Sequence, residues 1–337
     1  MAFGQCLLVR SPVATTSAAC SRTSVRSTQP AQRGLVLPSL RKAVDSRIVR
    51  QNPSLSETAR CNAAVVPTPP AVVAAPTPAM LTPAETYEKI VQGGIKKANT
   101  SASKTFIMAI VGGMFISFGA LLALSVGFSC PGMMQSNVGA QKILLGMFGL
   151  PFGLFLVMNT GVELFTGNTA LLTAAVLEGK ANMGQLAKSW ICSYFGNFVG
   201  ALLCVWCINT AGLTATANPA IGVATAKTSL TFMQAFIRGI LANWLVCVAV
   251  WMATAASSMS GKVLGIFIPI SSFVAMGFEH SIANMFFIPF GITCGAGMTM
   301  AGFCASNLIP VTLGNIVGGA FCLATLNSLF FGKLGGN

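Results

Sequence analysis

Two octets decide how this chain folds: GVELFTGN at residues 161–168 and GFEHSIAN at residues 277–284. Both share the spacing G-x-E-x-x-x-x-N, and each interrupts an apolar run too long for one plain helical crossing. In lipid the backbone must satisfy its own hydrogen bonds. A polar octet in mid-run therefore marks a helix broken where protein or water, rather than lipid, surrounds it.

Around the octets the chain is 54% hydrophobic and only 8% charged, too poor in polar side chains to cover a water-soluble globule of 337 residues. Six apolar segments, at about 104–128, 143–177, 187–211, 231–257, 262–291 and 305–331, each reach the ~20 residues that cross a bilayer. The octets break the second and the fifth. The two halves of this region repeat one another. Thr105, Phe106, Ala109 and Gly113 match Thr231, Phe232, Ala235 and Gly239; the octets match through Gly161, Glu163 and Asn168 against Gly277, Glu279 and Asn284; Gly196, Asn197, Val199, Gly200 and Cys204 match Gly314, Asn315, Val317, Gly318 and Cys322. Three crossings per copy is an odd number, so the second copy enters from the opposite side and the repeat is inverted. The expected fold is an all-α polytopic membrane protein, six spans in an inverted 3+3 repeat, with the two broken helices meeting near the midplane.

The formal charge of +13 is not a nucleic-acid signal, because 9 of the 20 Lys and Arg residues precede residue 61. Residues 1–61 are rich in Ser, Thr, Arg and Ala, with only Asp45 and Glu57 acidic, and read as a chloroplast transit peptide. Residues 62–81 form a Pro/Ala-rich linker that cannot hold a helix. Thr82-Pro83-Ala84-Glu85 supplies an N-cap, a first-turn proline and a capping-box glutamate for an amphipathic helix over 82–99, expected to lie at the membrane surface before the pore domain at 104–333. Lysines 96, 97, 104, 180, 188, 262 and 333 fall on one side, with Lys142 and Lys227 on the other. The positive-inside rule then puts both termini in the stroma, across the inner envelope membrane. No Cys/His spacing suits a metal, no cofactor is implied, and Cys204-x-x-Cys207 lies mid-span, where a thiolate is costly.

Within the spans the ionisable side chains far from the ends are Glu163, Glu279 and His280, the chain's only histidine. Each must face protein, water or substrate. His280 either exchanges a proton with a passing weak acid or is a neutral structural residue at the break. Glu163 and Glu279, at one shared position, read as scaffolding that accepts N–H groups freed by the breaks, with Asn168 beside Glu163. Asn197 and Asn315 read as packing glue between close helices. Asn243 either packs or touches substrate. Lys227 either draws anions to the outer mouth or is an ordinary loop lysine.

GFEHSIANMFFIPFGI (277–292), RGILANWLVCVAVWM (238–252) and ELFTGNTALL (163–172) resemble the formate/nitrite transporter family. The match covers roughly 82–335 and, with a plastid presequence, is nearest to the chloroplast nitrite transporters of green algae that serve nitrate assimilation. The resemblance implies a homopentamer of aquaporin-like protomers in membrane lipid. Each would pass nitrite, formate or similar monovalent anions, with protons, between two apolar constrictions. It implies His280 as the central histidine, Thr166 beside it, Asn243 and Asn284 as pore asparagines, and Lys227 as the vestibule lysine. The constrictions would be Leu154 and Phe273 outside and Leu164, Phe165 and Val246 inside. Protonation assisted by His280, with Thr166 and Asn284 in its network, would let the anion cross as its neutral acid. Gly167-Asn168-Thr169 departs from the bacterial formate channels and leaves nitrite against formate open. An ammonium or neutral-solute pore is the alternative within transport. An intramembrane enzyme built on Glu279, His280 and Ser281 lacks any nucleophile-and-base pattern.

Overall fold

The computed structural model describes residues 80–213 and 216–336. The expected transit peptide, and the linker up to residue 79, lie outside the described residues. The linker's last two residues are pinned to the fold: Met80 bridges Ala256, and the Leu81 N–H donates to the Ala255 carbonyl at 3.0 Å.

The expected capping box starts α1 (Pro83–Ala98), with the Glu85 carboxylate accepting from the Thr82 N–H at 2.8 Å. The apolar face of α1 packs on the bundle. Tyr87, Ile90 and Val91 are buried against Ala170, Leu171, Ala174, Val250 and Leu323, so protein covers that face.

The bundle follows as α2 (Ala102–Ser125), α3 (Pro131–Ser136), α4 (Val138–Met147), α5 (Leu150–Thr160), α6 (Phe165–Leu177), α7 (Met183–Thr210), α8 (Ala217–Thr228), α9 (Phe232–Ala255), α10 (Met259–Ala275) and α11 (Ser281–Thr293). It closes with α12 (Met300–Phe331). The continuous stretches 102–125, 138–160, 183–210, 232–255 and 300–331 are each long and apolar enough to cross a membrane. The fifth crossing is divided between α10 and α11, and the second continues past its break into α6, giving six spans in two inverted copies. Two stretches of α12, Cys304–Leu308 and Val317–Thr325, are wound as π-helix. The first ends two residues before Pro310, whose missing N–H and ring bulk an α-helical turn does not accommodate. Large apolar side chains such as Phe195, Trp206 and Phe321 point outward, as expected where lipid is the solvent.

The structure corrects the register of the repeat. Ser101 and Thr231 are the N-caps of α2 and α9, both 24 residues long. A Cβ on Gly200 would strike the Ile110 carbonyl, and one on Gly318 the Ile240 carbonyl, so both copies use a glycine to bring two backbones into contact. Residue 101 thus answers to 231 and 110 to 240, an offset of 130, whereas matching Thr105 to Thr231 gives 126. The error is about one helical turn. Sliding an apolar helix by four residues keeps its face, so residue type alone does not separate the two registers. In the corrected register Lys97 answers to Lys227.

Candidate functional site

Both breaks are built alike. Gly161 and Gly277 have left-handed φ of 72° and 74°, a conformation that costs other residues about 1–2 kcal/mol. Chain reversal there leaves the first N–H groups of α6 and α11 without helical partners. Asn197 and Asn315, expected only to pack, take them up. Asn197 Oδ1 accepts from the Phe165 N–H at 2.9 Å while its Nδ2 donates to the carbonyls of Ala109 at 2.7 Å and Glu163 at 2.9 Å. Asn315 Oδ1 accepts from the Ser281 N–H at 2.8 Å, and its Nδ2 donates to the carbonyls of Gly239 at 2.8 Å and Glu279 at 3.1 Å. One amide on the third span of each copy thus clamps its break to the first span of that copy.

The two octet glutamates, expected to accept freed N–H groups, bond side-chain partners instead. Glu163 pairs with Lys97 Nζ at 2.7 Å and accepts from Asn168 Nδ2 at 2.8 Å. Glu279 pairs with Lys227 Nζ at 2.9 Å and accepts from Asn284 Nδ2 at 2.7 Å and Asn307 Nδ2 at 3.2 Å. Both carboxylates are buried, and a buried charge is tolerable when paired and hydrogen-bonded in this way. Lys227, in the far-side vestibule wall, is therefore held against Glu279. Asn284 Oδ1 is buried, without a partner among the described residues, and Asn284 lines the neighbouring vestibule.

Two vestibules approach the break region from opposite sides. The one on the side of the termini has a volume of about 450 Å³ and the far-side one about 280 Å³. Between them lies a chamber of about 10 Å³, walled by Ile116, Leu150, Leu154, Leu164, Val246, Ile270, Phe273 and His280, barely room for one water. Leu164 and Leu154 face both the chamber and the terminal-side vestibule, while Phe273 and Leu150 face both the chamber and the far-side one. Leu154, expected outside with Phe273, thus stands with Leu164 on the terminal side. Leu150, one turn earlier on α5, takes its place and was missed, since nothing in an apolar run distinguishes neighbouring leucines. Phe165, expected to constrict, is also corrected: its ring packs edge-on to Trp190 and Tyr194, with centroids 6.2 and 4.9 Å away, and lines none of these cavities.

His280 is the N-cap of α11. Its Nδ1 accepts the Ala283 N–H at 3.1 Å, and Nε2 lies 3.0 Å from Thr166 Oγ1. A nitrogen that accepts an N–H carries no proton, so the neutral ring is protonated at Nε2 and donates to Thr166. Charging the ring requires giving up the cap. The Thr166 carbonyl is held in turn by Asn243 Nδ2 at 3.2 Å, which also donates to Thr169 Oγ1 at 3.0 Å and the Asn315 carbonyl at 2.5 Å. Asn243 is fully buried and lines none of the three cavities. Asn284, expected in the His280 network, bonds Glu279 and Asn307 instead.

The sequence model of the formate/nitrite transporter family matches residues 84–329. The chain belongs to this family. It is 41% identical over 250 residues to the probable formate transporter of Methanothermobacter thermautotrophicus, covering 68% of this chain and 89% of that one. It is 38% identical over 263 residues to the formate channel FocA of Escherichia coli, covering 71% and 90%. Among solved structures, a pentameric formate channel with formate bound superposes with a TM-score of 0.60 at 33% identity, covering 68% of this chain and 97% of that one. An ion channel of the same family gives 0.64 at 28% identity, covering 72% and 96%. These relatives are transporters and channels, and the chain is a transport protein of this family rather than an enzyme.

Proposed function

We propose that this protein carries nitrite, with formate also accepted, across the chloroplast inner envelope into the stroma, together with a proton. The observation that carries the reading is the dry chamber between two cationic vestibules. An apolar chamber of one-water size strips a solute of its hydration, while Lys97 and Lys227 in the mouths are each neutralised by an octet glutamate. Desolvation disfavours the charged form of a weak acid, so the anion takes up a proton as it enters and crosses as the neutral molecule. Lysines around both mouths repel ammonium and weigh against that alternative.

His280 acts in this reading as a neutral donor. Its Nε2–H, paired with Thr166, meets the solute, and the proton comes from vestibule water, because donation by a charged ring would break the Ala283 cap. Both termini face the stroma, and the protein assembles as a pentamer, as the formate channel it resembles does. The plastid address rests on residues 1–61 and on lysine placement.

The test is nitrite, formate and bicarbonate flux into proteoliposomes at several external pH values, for the unchanged protein, His280→Ala and His280→Asn. Flux of nitrite and formate should rise as external pH falls. His280→Ala should lose flux. Asparagine can accept the Ala283 N–H and donate to Thr166 but cannot ionise, so His280→Asn should retain flux with unchanged pH dependence. Loss of pH dependence in His280→Asn would show that the ring itself passes the proton.

A further inference from the structure

Because the internal two-fold relates the two vestibules, residues that differ between them are not required by the pore frame. Lys97 and Lys227 correspond, and each is paired with its own octet glutamate. Lys89, Lys96 and Lys104 also line the terminal-side vestibule. Their counterparts at the offset of 130 are Pro219, Ala226 and Gln234.

None of these three ammonium groups has a salt-bridge partner among the described residues. The one carboxylate in the vestibule wall, Glu163, is taken by Lys97 and Asn168. Outside the wall, Glu85 attracts Lys89 but is bound to Thr82. The terminal-side vestibule thus holds three cations without a salt-bridge partner around about 450 Å³, whereas the far-side wall, around about 280 Å³, holds two, Lys142 and Arg238. A triatomic monovalent anion needs neither that charge nor that room. The positive-inside rule asks for lysines on this face, and Lys180, Lys188 and Lys333 answer it outside the cavity wall. It does not ask for them inside a pore mouth.

We propose that the terminal-side vestibule binds a multivalent oxyanion of the phosphate class through Lys89, Lys96 and Lys104, and that its occupancy closes this mouth to the permeant anion. Several ammonium groups converging on one cavity recognise multiple negative oxygens through charge-assisted hydrogen bonds. The bound group would stand between the solvent and Leu164, directly on the path. Only the closure rests on the transport reading; the binding stands apart from it.

The purified full chain, titrated calorimetrically with inorganic pyrophosphate at fixed ionic strength, should show saturable binding. Lys96→Gln/Lys104→Gln should weaken it by roughly tenfold or more. In phosphatidylcholine proteoliposomes, pyrophosphate should block formate flux from one face only, and the double variant should keep basal flux while losing the block. Ala226→Lys/Gln234→Lys, which installs two missing cations in the far-side copy, should create a block from the other face. Adding phosphatidylglycerol to the vesicles separates the sources: if it replaces the pyrophosphate effect in the unchanged protein but not in the double variant, a lipid headgroup fills the same site. Absence of saturable binding, or binding indifferent to both lysines, overturns the proposal. Binding in a protein that carries no formate or nitrite would leave the site standing and remove the transport reading.

Discussion

Replacing Asn315 by alanine tests the architecture of the breaks most directly. The substitution leaves a small cavity and strips partners from three buried groups: the Ser281 N–H and the carbonyls of Gly239 and Glu279. Side-chain hydrogen bonds inside membrane proteins are worth about 0.6–1.7 kcal/mol each, so three together contribute about 2–5 kcal/mol, enough to shift melting measurably. The internal two-fold sharpens the expectation, because Asn197 makes the same three kinds of bond in the other copy. Asn197→Ala should therefore cost about as much as Asn315→Ala, although residue 197 lies on the first copy's third span and residue 315 on the second copy's. Thermal melting of the detergent-solubilised protein, followed by fluorescence, reads the stability, and formate flux reads the pore. Melting unchanged in either variant, or one far costlier than the other, would refute the view that two equivalent amides hold two equivalent breaks.

Lys227→Met should destabilise the protein by about 3–5 kcal/mol, because Glu279 would remain buried without its cation; Lys227→Met/Glu279→Gln should recover much of that loss in melting, and recovery of flux as well would show that Lys227 serves the fold rather than capture. Gly277→Ala should cost about 1–2 kcal/mol through its left-handed backbone alone, since nothing lies within 4 Å of the added carbon, and melting checks it. At the terminal-side face, Glu178 accepts from Tyr87 Oη and Ser328 Oγ, both at 2.7 Å, and from the Lys333 N–H at 3.0 Å, tying α1 to the chain's end. Burial pushes the Glu178 carboxyl up, but those hydroxyls and Lys333 outweigh it and hold it below its ordinary value of 4.5. A lowered carboxylate contributes stability that is present above the unfolded value and lost as pH falls through the folded one. Glu178→Gln should therefore speed protease cleavage in α1 at neutral pH, and the difference from the unchanged protein should vanish well below pH 4.5.

The sequence makes the breaks legible because lipid punishes polar residues so heavily that GVELFTGN and GFEHSIAN stand out against everything around them. The same contrast is missing where the reading failed. Leu150 and Leu154 differ by one turn in a uniformly apolar helix, and only the geometry of α5 decides which faces the far side. Phe165 follows Leu164 directly in sequence, yet its ring turns away to Trp190 and Tyr194. The repeat register slipped by one turn for a related reason: chance identities such as Thr105 with Thr231 outweighed the N-caps. A Ser or Thr followed three residues on by a cappable N–H, at 101 and 231, was the available signal.

Once the register is right, the two copies divide the work in a way that explains why a duplicated frame can serve a directional task. The clamps, the glycine reversals and the Lys–Glu pairs are common to both copies and hold the breaks open. At the centre the copies differ: His280 answers to Leu164, and Thr166 to Ile282. Each copy therefore contributes one polar and one apolar member, and the hydrogen bond between Nε2 and Oγ1 joins the copies across the axis. Leu164, at the N-cap position of α6, makes no side-chain cap, whereas His280 caps α11. A second histidine in place of Leu164 would restore symmetry but replace one wall of the inner constriction with a polar ring. One histidine on one side supplies the donor and leaves the opposite wall dry, and the desolvation argued for proton uptake depends on that dryness.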